Sequence, residues 1–109
     1  MNKSNFLAAA VLTFFLAPGL LLAEGDSATG KTLSIDCADC HGENGLGDED
    51  VPAIAGMDET KHVEALMGYK SGEIPDEDEE MLPYVEELSE QDMADLAAYY
   101  ATLEGPDSE

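Results

Sequence analysis

The pentapeptide Cys37-Ala38-Asp39-Cys40-His41 constrains this chain more than any other stretch. Two thiols three residues apart, followed at once by an imidazole, form the C-x-x-C-H pattern of covalent c-type haem attachment. The spacing has a chemical reason. Each thiol adds to one vinyl group of the porphyrin, and two intervening residues let a single helical turn span both vinyls. His41 then falls under the ring, where a nitrogen can serve the iron as proximal ligand. The plainer alternatives are a redox dithiol, half of a zinc site and a structural disulfide. A redox dithiol favours a strand-then-helix setting, and a zinc site needs four ligands. The chain has only these two cysteines, and its other histidine, His62, is well separated in sequence.

The chain of 109 residues has room for one domain. Its start has the layout of a secretory signal peptide: a short, weakly positive beginning with Lys3, an apolar core over Phe6–Ala17, a break at Pro18-Gly19, and Leu20-Leu21-Leu22-Ala23 running up to a polar boundary at Glu24. Residues 1–23 are therefore expected to be removed on export, leaving residues 24–109 as one haem domain. The competing expectation is a retained N-terminal anchor, which the Pro18-Gly19 break leaves short of a comfortable span. A domain this small buries too little surface to be more than marginally stable without a staple, and a covalently held haem supplies one.

All 25 acids follow Ala23, where they meet only Lys31, Lys61 and Lys70, giving residues 24–109 a formal charge of −22. Such a body is a poor partner for nucleic acid or anionic membrane surfaces, and no stable membrane insertion is expected after cleavage. The acids are spread along the whole chain, which favours a solvated acidic surface suited to saline surroundings over one docking face for a basic redox partner.

The pattern from Glu24 onward is helical throughout. Thr29–Asp39 reads as a first helix, with Thr29 a candidate N-cap and Leu33 and Cys37 sharing a face. The Gly- and Asn-rich stretch after His41 supplies a tight loop. Pro52, eleven residues beyond His41, is placed to offer its carbonyl to the second ring nitrogen of a ligating histidine. Asp58-Glu59-Thr60 opens a middle helix whose apolar face is expected at Val63, Leu66, Met67 and Lys70, the last through its aliphatic stem, with His62 beside it, the rival haem ligand but more simply a surface residue of an early turn. Ser71-Gly72 ends it. Residues 73–80 hold six acids in eight positions and read as a solvated loop. Met81 follows, a soft thioether near Pro83 in an extended segment, and is the candidate sixth ligand. Met67 and Met93 fit the core more simply, and Met57 is the weaker rival. Ser89 caps a last helix with Met93, Leu96, Ala97, Tyr100 and Ala101 on one face, and Gly105-Pro106 stops it.

Cys37-Ala38-Asp39-Cys40-His41-Gly42, then Pro52-Ala53-Ile54-Ala55-Gly56, then Met81, then Leu88-Ser89-Glu90-Gln91-Asp92 leading into Leu96-Ala97-Ala98-Tyr99-Tyr100, resembles a class I cytochrome c over nearly all of residues 24–109. The resemblance implies an all-α fold of three main helices wrapped around one covalently bound haem c. Cys37 and Cys40 would be the thioether attachments, His41 and Met81 the axial ligands. It also implies a close crossing of the first and last helices, for which Gly30 is the candidate point. More narrowly, Ile54-Ala55-Gly56-Met57-Asp58 with Met67-Gly68-Tyr69-Lys70-Ser71-Gly72-Glu73-Ile74 is similar to the cytochrome subunit of flavocytochrome c sulfide dehydrogenase, here with a single haem motif. The partner implied is an FAD-containing flavoprotein subunit, or failing that another periplasmic redox protein.

The leading expectation is thus a periplasmic electron-transfer haem protein serving a sulfide-oxidising dehydrogenase. The alternative is a freely diffusing carrier feeding a terminal oxidase or similar acceptor. A third reading, a haem sensor or enzyme with an open distal site, requires that Met81 not ligate. The sequence offers no general acid–base pair, no nucleophile with a base and no phosphate loop, so no catalytic residues are assigned.

Overall fold

A computed structural model describes residues 24–106. Among these there are four helices, α1 (Ser27–His41), α2 (Glu59–Ser71), α3 (Leu82–Val85) and α4 (Glu90–Ala101), and no strand. The three long helices are the three main helices of the expected fold, and α3 is one extra turn. The proposed signal segment, residues 1–23, lies outside the described residues. No helix among the described residues is long and apolar enough to cross a membrane.

Helix α1 begins two residues earlier than the sequence led us to expect. Asp26 is its N-cap, its carboxylate accepting the amide and hydroxyl of Thr29. Both residues are good caps, but the carboxylate carries full charge at the positive helix end, so Asp26 takes the cap and Thr29 becomes the third helical residue. The buried Asp95 of α4 accepts the Asp26 amide at 2.8 Å, tying the start of α1 to α4.

Helices α1 and α4 cross at Gly30. A Cβ built there would lie 1.9 Å from the Asp95 carbonyl oxygen and 2.8 Å from Tyr99 Cβ, so only the missing side chain permits this approach. Helix α4 carries a full capping box: Ser89 accepts the Asp92 amide at 3.0 Å while the Asp92 carboxylate accepts the Ser89 amide at 3.0 Å. Its inner face buries Met93, Leu96, Ala97 and Tyr100. These pack with Leu66 of α2 and Val85 of α3 to form the core. The helix ends at Ala101, and Leu103 packs on the core from beyond it.

Helix α2 is rotated by about one residue from the expected face. His62 and Leu66 are buried, with Ala65 and Tyr69 half-buried beside them, while Met67 is 42% exposed. Ile74 folds back over Gly68, whose missing side chain makes room for it. The side of α2 turned to the core therefore bears Leu66 with Val63 and Tyr69 beside it and leaves Met67 outside, against the apolar count that placed Met67 inside. Gly72 ends α2 in the left-handed conformation at φ 88°. Lys70 donates from Nζ to the Leu88 carbonyl at 2.7 Å, linking α2 to the segment before α4.

Candidate haem site

One cavity of about 520 Å³ lies between the helices, lined by Cys37, Cys40, His41, His62, Met81 and Tyr100 among others. Cys37 and Cys40 reach it from the last turns of α1, and neither is in a disulfide. Cys37 is half-buried and Cys40 exposed, so the pair lies where the cavity meets solvent. Burial pushes the Cys37 thiol above its ordinary pKa.

His41 ends α1 and is itself buried. Its Nδ1 donates to the Pro52 carbonyl at 2.8 Å; a carbonyl can only accept, which places the proton on Nδ1. The lone pair is thereby left on Nε2, the tautomer a metal-ligating histidine needs. The loop that delivers Pro52 is folded by backbone bonds of its own. Gly47 donates to the His41 carbonyl at 2.8 Å, and Gly45 accepts from both Ile54 and Ala55. Gly45, at φ 70°, sits so close under Tyr100 that a Cβ would lie 2.9 Å from its ring.

Of the methionines among the described residues, Met81 and Met57 line the cavity; Met67 is exposed and Met93 lies in the core. Met81 is held through its backbone. The Asp76 carboxylate accepts the amides of Met81 and Leu82, both at 3.0 Å, and of Glu80 at 3.1 Å. The acidic stretch is therefore not uniformly solvated. Asp76 is half-buried while Glu73, Glu77, Asp78, Glu79 and Glu80 are exposed. One member of the run turns inward because it has unpaired amides to satisfy.

His62 is the residue most at odds with its sequence pattern. It is 4% exposed rather than on the surface, lines the cavity, and its Nδ1 has no hydrogen-bond partner among the described residues. Its ring lies 5.6 Å from that of Tyr100, tilted by 49°. Burial, and secondarily the charge of His41, push its pKa down to about 4, so the imidazole is neutral near neutral pH. The Tyr100 hydroxyl is likewise buried and lacks a partner among the described residues. Burial raises its pKa well above the usual phenol range. One signal for His62 was legible before the fold: it precedes Leu66 by four residues, which puts both on one face.

Paired free thiols at the mouth of a cavity between the helices, an imidazole pinned as the ligating tautomer and a thioether lining the same space fit a haem attached through its vinyl groups. The site is that of a protein of the c-type haem class. Residues 27–104 match the family described as Cytochrome c, and the chain belongs to that family. It binds one haem c covalently and serves electron transfer. A similar relative is cytochrome c-554(547) of Halothiobacillus neapolitanus, 39% identical, with the match covering 72% of this chain and 98% of the relative. Reduced recombinant cytochrome c4 from Pseudomonas stutzeri superposes with a TM-score of 0.66 at 31% identity, covering 74% of this chain and 47% of that one. The chain thus spans about half the length of the cytochrome c4 it matches. A thiosulfate dehydrogenase from Marichromatium purpuratum shares the fold with a TM-score of 0.64 at 27% identity, over 71% of this chain and 18% of that one.

Proposed function

We propose that Cys37 and Cys40 would hold the haem through thioethers and that His41 and Met81 would both bind its iron, making the chain a closed, one-electron carrier. The observation that supports this most is the bond from His41 Nδ1 to the Pro52 carbonyl, which frees Nε2 inside the cavity that Met81 also lines. The haem supplies an iron that exchanges one electron at a time, and a methionine ligand raises its potential. The protein's own residues do the rest. His41 is oriented by Pro52, Met81 is fixed through Asp76, and Leu66, Leu96 and Val85 exclude water from the interior. With both residues bound to it, the iron would have no place for a substrate.

In this proposal residues 1–23 direct export and the protein works in the periplasm. Its electrons come from a dehydrogenase, with the FAD-containing subunit of a sulfide dehydrogenase favoured by the segments Ile54–Asp58 and Met67–Ile74. A second reading is a freely diffusing carrier, and the likeness to cytochrome c-554(547) over 98% of that protein's length favours it. The first test is the spectrum of the oxidised protein. The weak red charge-transfer band of methionine-ligated ferric haem is expected in the native protein and should vanish in Met81→Ala; native protein that lacks the band and binds cyanide readily would refute the ligand set and favour an open-site sensor or enzyme. Co-purification with a flavoprotein, and reduction of the haem by sulfide only in its presence, separates the two partner readings.

A further inference from the structure

The loop before Met81 carries more structure than a run of acids needs. Its chain turns back at Glu79, a non-glycine residue in the left-handed region at φ 55°, while the Glu79 amide donates to the Asp76 carbonyl oxygen at 2.8 Å. That conformation is uncommon for a side chain with a Cβ and persists where surrounding bonds determine it. The reversal points three successive amides, those of Glu80, Met81 and Leu82, at one carboxylate. Beyond Met81 the grip continues. The Met81 carbonyl accepts the amides of Tyr84 at 3.0 Å and Val85 at 3.1 Å, and Val85 is fully buried. Met81 stands at the N-cap of α3 and has no side-chain oxygen with which to cap it. Asp76 supplies that oxygen from five residues upstream. Both peptide groups flanking the Met81 Cα are thereby fixed, and only side-chain torsions remain free.

We propose that Asp76 is the positioning residue for Met81: its carboxylate gathers the amides of Glu80, Met81 and Leu82 and so keeps the thioether where the iron needs it. This rests on Met81 being the sixth ligand. Charge-assisted bonds to three amides are stronger than neutral ones, and their loss frees the peptide on the N-terminal side of the ligand. The expected consequence is not unfolding but a sixth ligand that leaves the iron more often and admits outside ligands.

The test uses the haem-loaded protein and four variants: Met81→Ala as the reference for a lost ligand, Asp76→Ala, Asp76→Asn, and Glu86→Gln as a control that removes one exposed charge nearby. Cyanide binding to the ferric protein and the methionine charge-transfer band are followed in each. Asp76→Ala is expected to bind cyanide at least about tenfold faster than the parent and to lose part of the band, consistent with the size of charged hydrogen bonds. Asp76→Asn keeps one acceptor oxygen and should fall between. Glu86→Gln should match the parent. An Asp76→Ala protein whose band and cyanide rate equal the parent's overturns the proposal, as does a Glu86→Gln effect as large as that of Asp76→Ala. If Asp76→Ala fails to take up haem, Asp76→Asn decides on the same criteria. A parent with no band, binding cyanide as fast as Met81→Ala, would instead sink the ligand assignment and this proposal together. A band lost in Met81→Ala but intact in both Asp76 variants sinks this proposal alone.

Discussion

Replacing His62 by Leu is expected to make stability less sensitive to mild acid. His62 is 4% exposed and its folded pKa is lowered to about 4 from the ordinary imidazole value of 6.5. The sign follows from which state holds more protons. Between those two values the unfolded chain binds a proton at this residue and the folded protein does not, so stability rises with pH. The contribution is fully present above about pH 6.5 and disappears as pH falls through about 4. A depression of that size corresponds to about 3 kcal/mol in total, of which roughly 2 kcal/mol is lost between pH 7 and pH 5. Haem in the cavity deepens the burial of a residue that lines it, so the direction holds for the loaded protein. The assay is denaturant unfolding of the haem-loaded parent and His62→Leu at both pH values. Many acids titrate in the same range, but they do so in both proteins, and the difference between the two pH dependences isolates His62. The parent should lose about 2 kcal/mol more than the variant. Equal losses would show that His62 is not held neutral by burial, and the account of its side chain would fail.

Two further predictions concern the frame and the charge. In Gly30→Ala the new methyl group meets the Asp95 carbonyl and Tyr99 Cβ, neither of which is a flexible side-chain end, so α1 and α4 must separate. A cost of about 2–3 kcal/mol and a Tm lower by roughly 10–20 °C are expected, read by thermal unfolding; an unchanged Tm would place the crossing elsewhere. With four lysines against 25 acids, the protein should also gain stability as sodium chloride rises from about 0.01 M to 1 M, because the screening length falls from about 30 Å to 3 Å; a Tm independent of salt would refute significant self-repulsion.

What could be read from the sequence divides along physical lines. The haem motif was legible because covalent chemistry fixes its spacing, and the capping of α4 because Ser89 and Asp92 satisfy each other's amides within one turn. Both are local constraints. The N-cap of α1 was misplaced because Asp26 and Thr29 compete for one helix end, and the winner also serves a partner in α4 that no local pattern reveals. The phase of α2 was missed for a similar reason. Hydropathy chooses Met67 over His62, but the side of α2 that lines the cavity bears His62, Ala65, Leu66 and Tyr69, and a cavity completed by other elements leaves no mark on the pattern of α2 itself.

The acidic run before Met81 shows how function can hide inside composition. Six acids in eight residues dilute any one of them to background, and a rule that charged runs stay in water is right for five. Asp76 departs from it because the short turn α3 starts without a side-chain cap of its own, and unpaired amides in a half-buried place cost more than one desolvated carboxylate that can take three of them. The surrounding acids then have a consequence for it. Their repulsion works against keeping Asp76 inward, and that repulsion is screened by salt while the direct hydrogen bonds are much less so. Raising ionic strength should therefore tighten the hold on Met81 as well as stabilise the whole protein, so the cyanide-binding rate of the parent should fall with salt and that of Asp76→Ala should respond less. A parent rate indifferent to salt would mean that the hydrogen bonds alone set the loop, with its crowded charge irrelevant to the ligand.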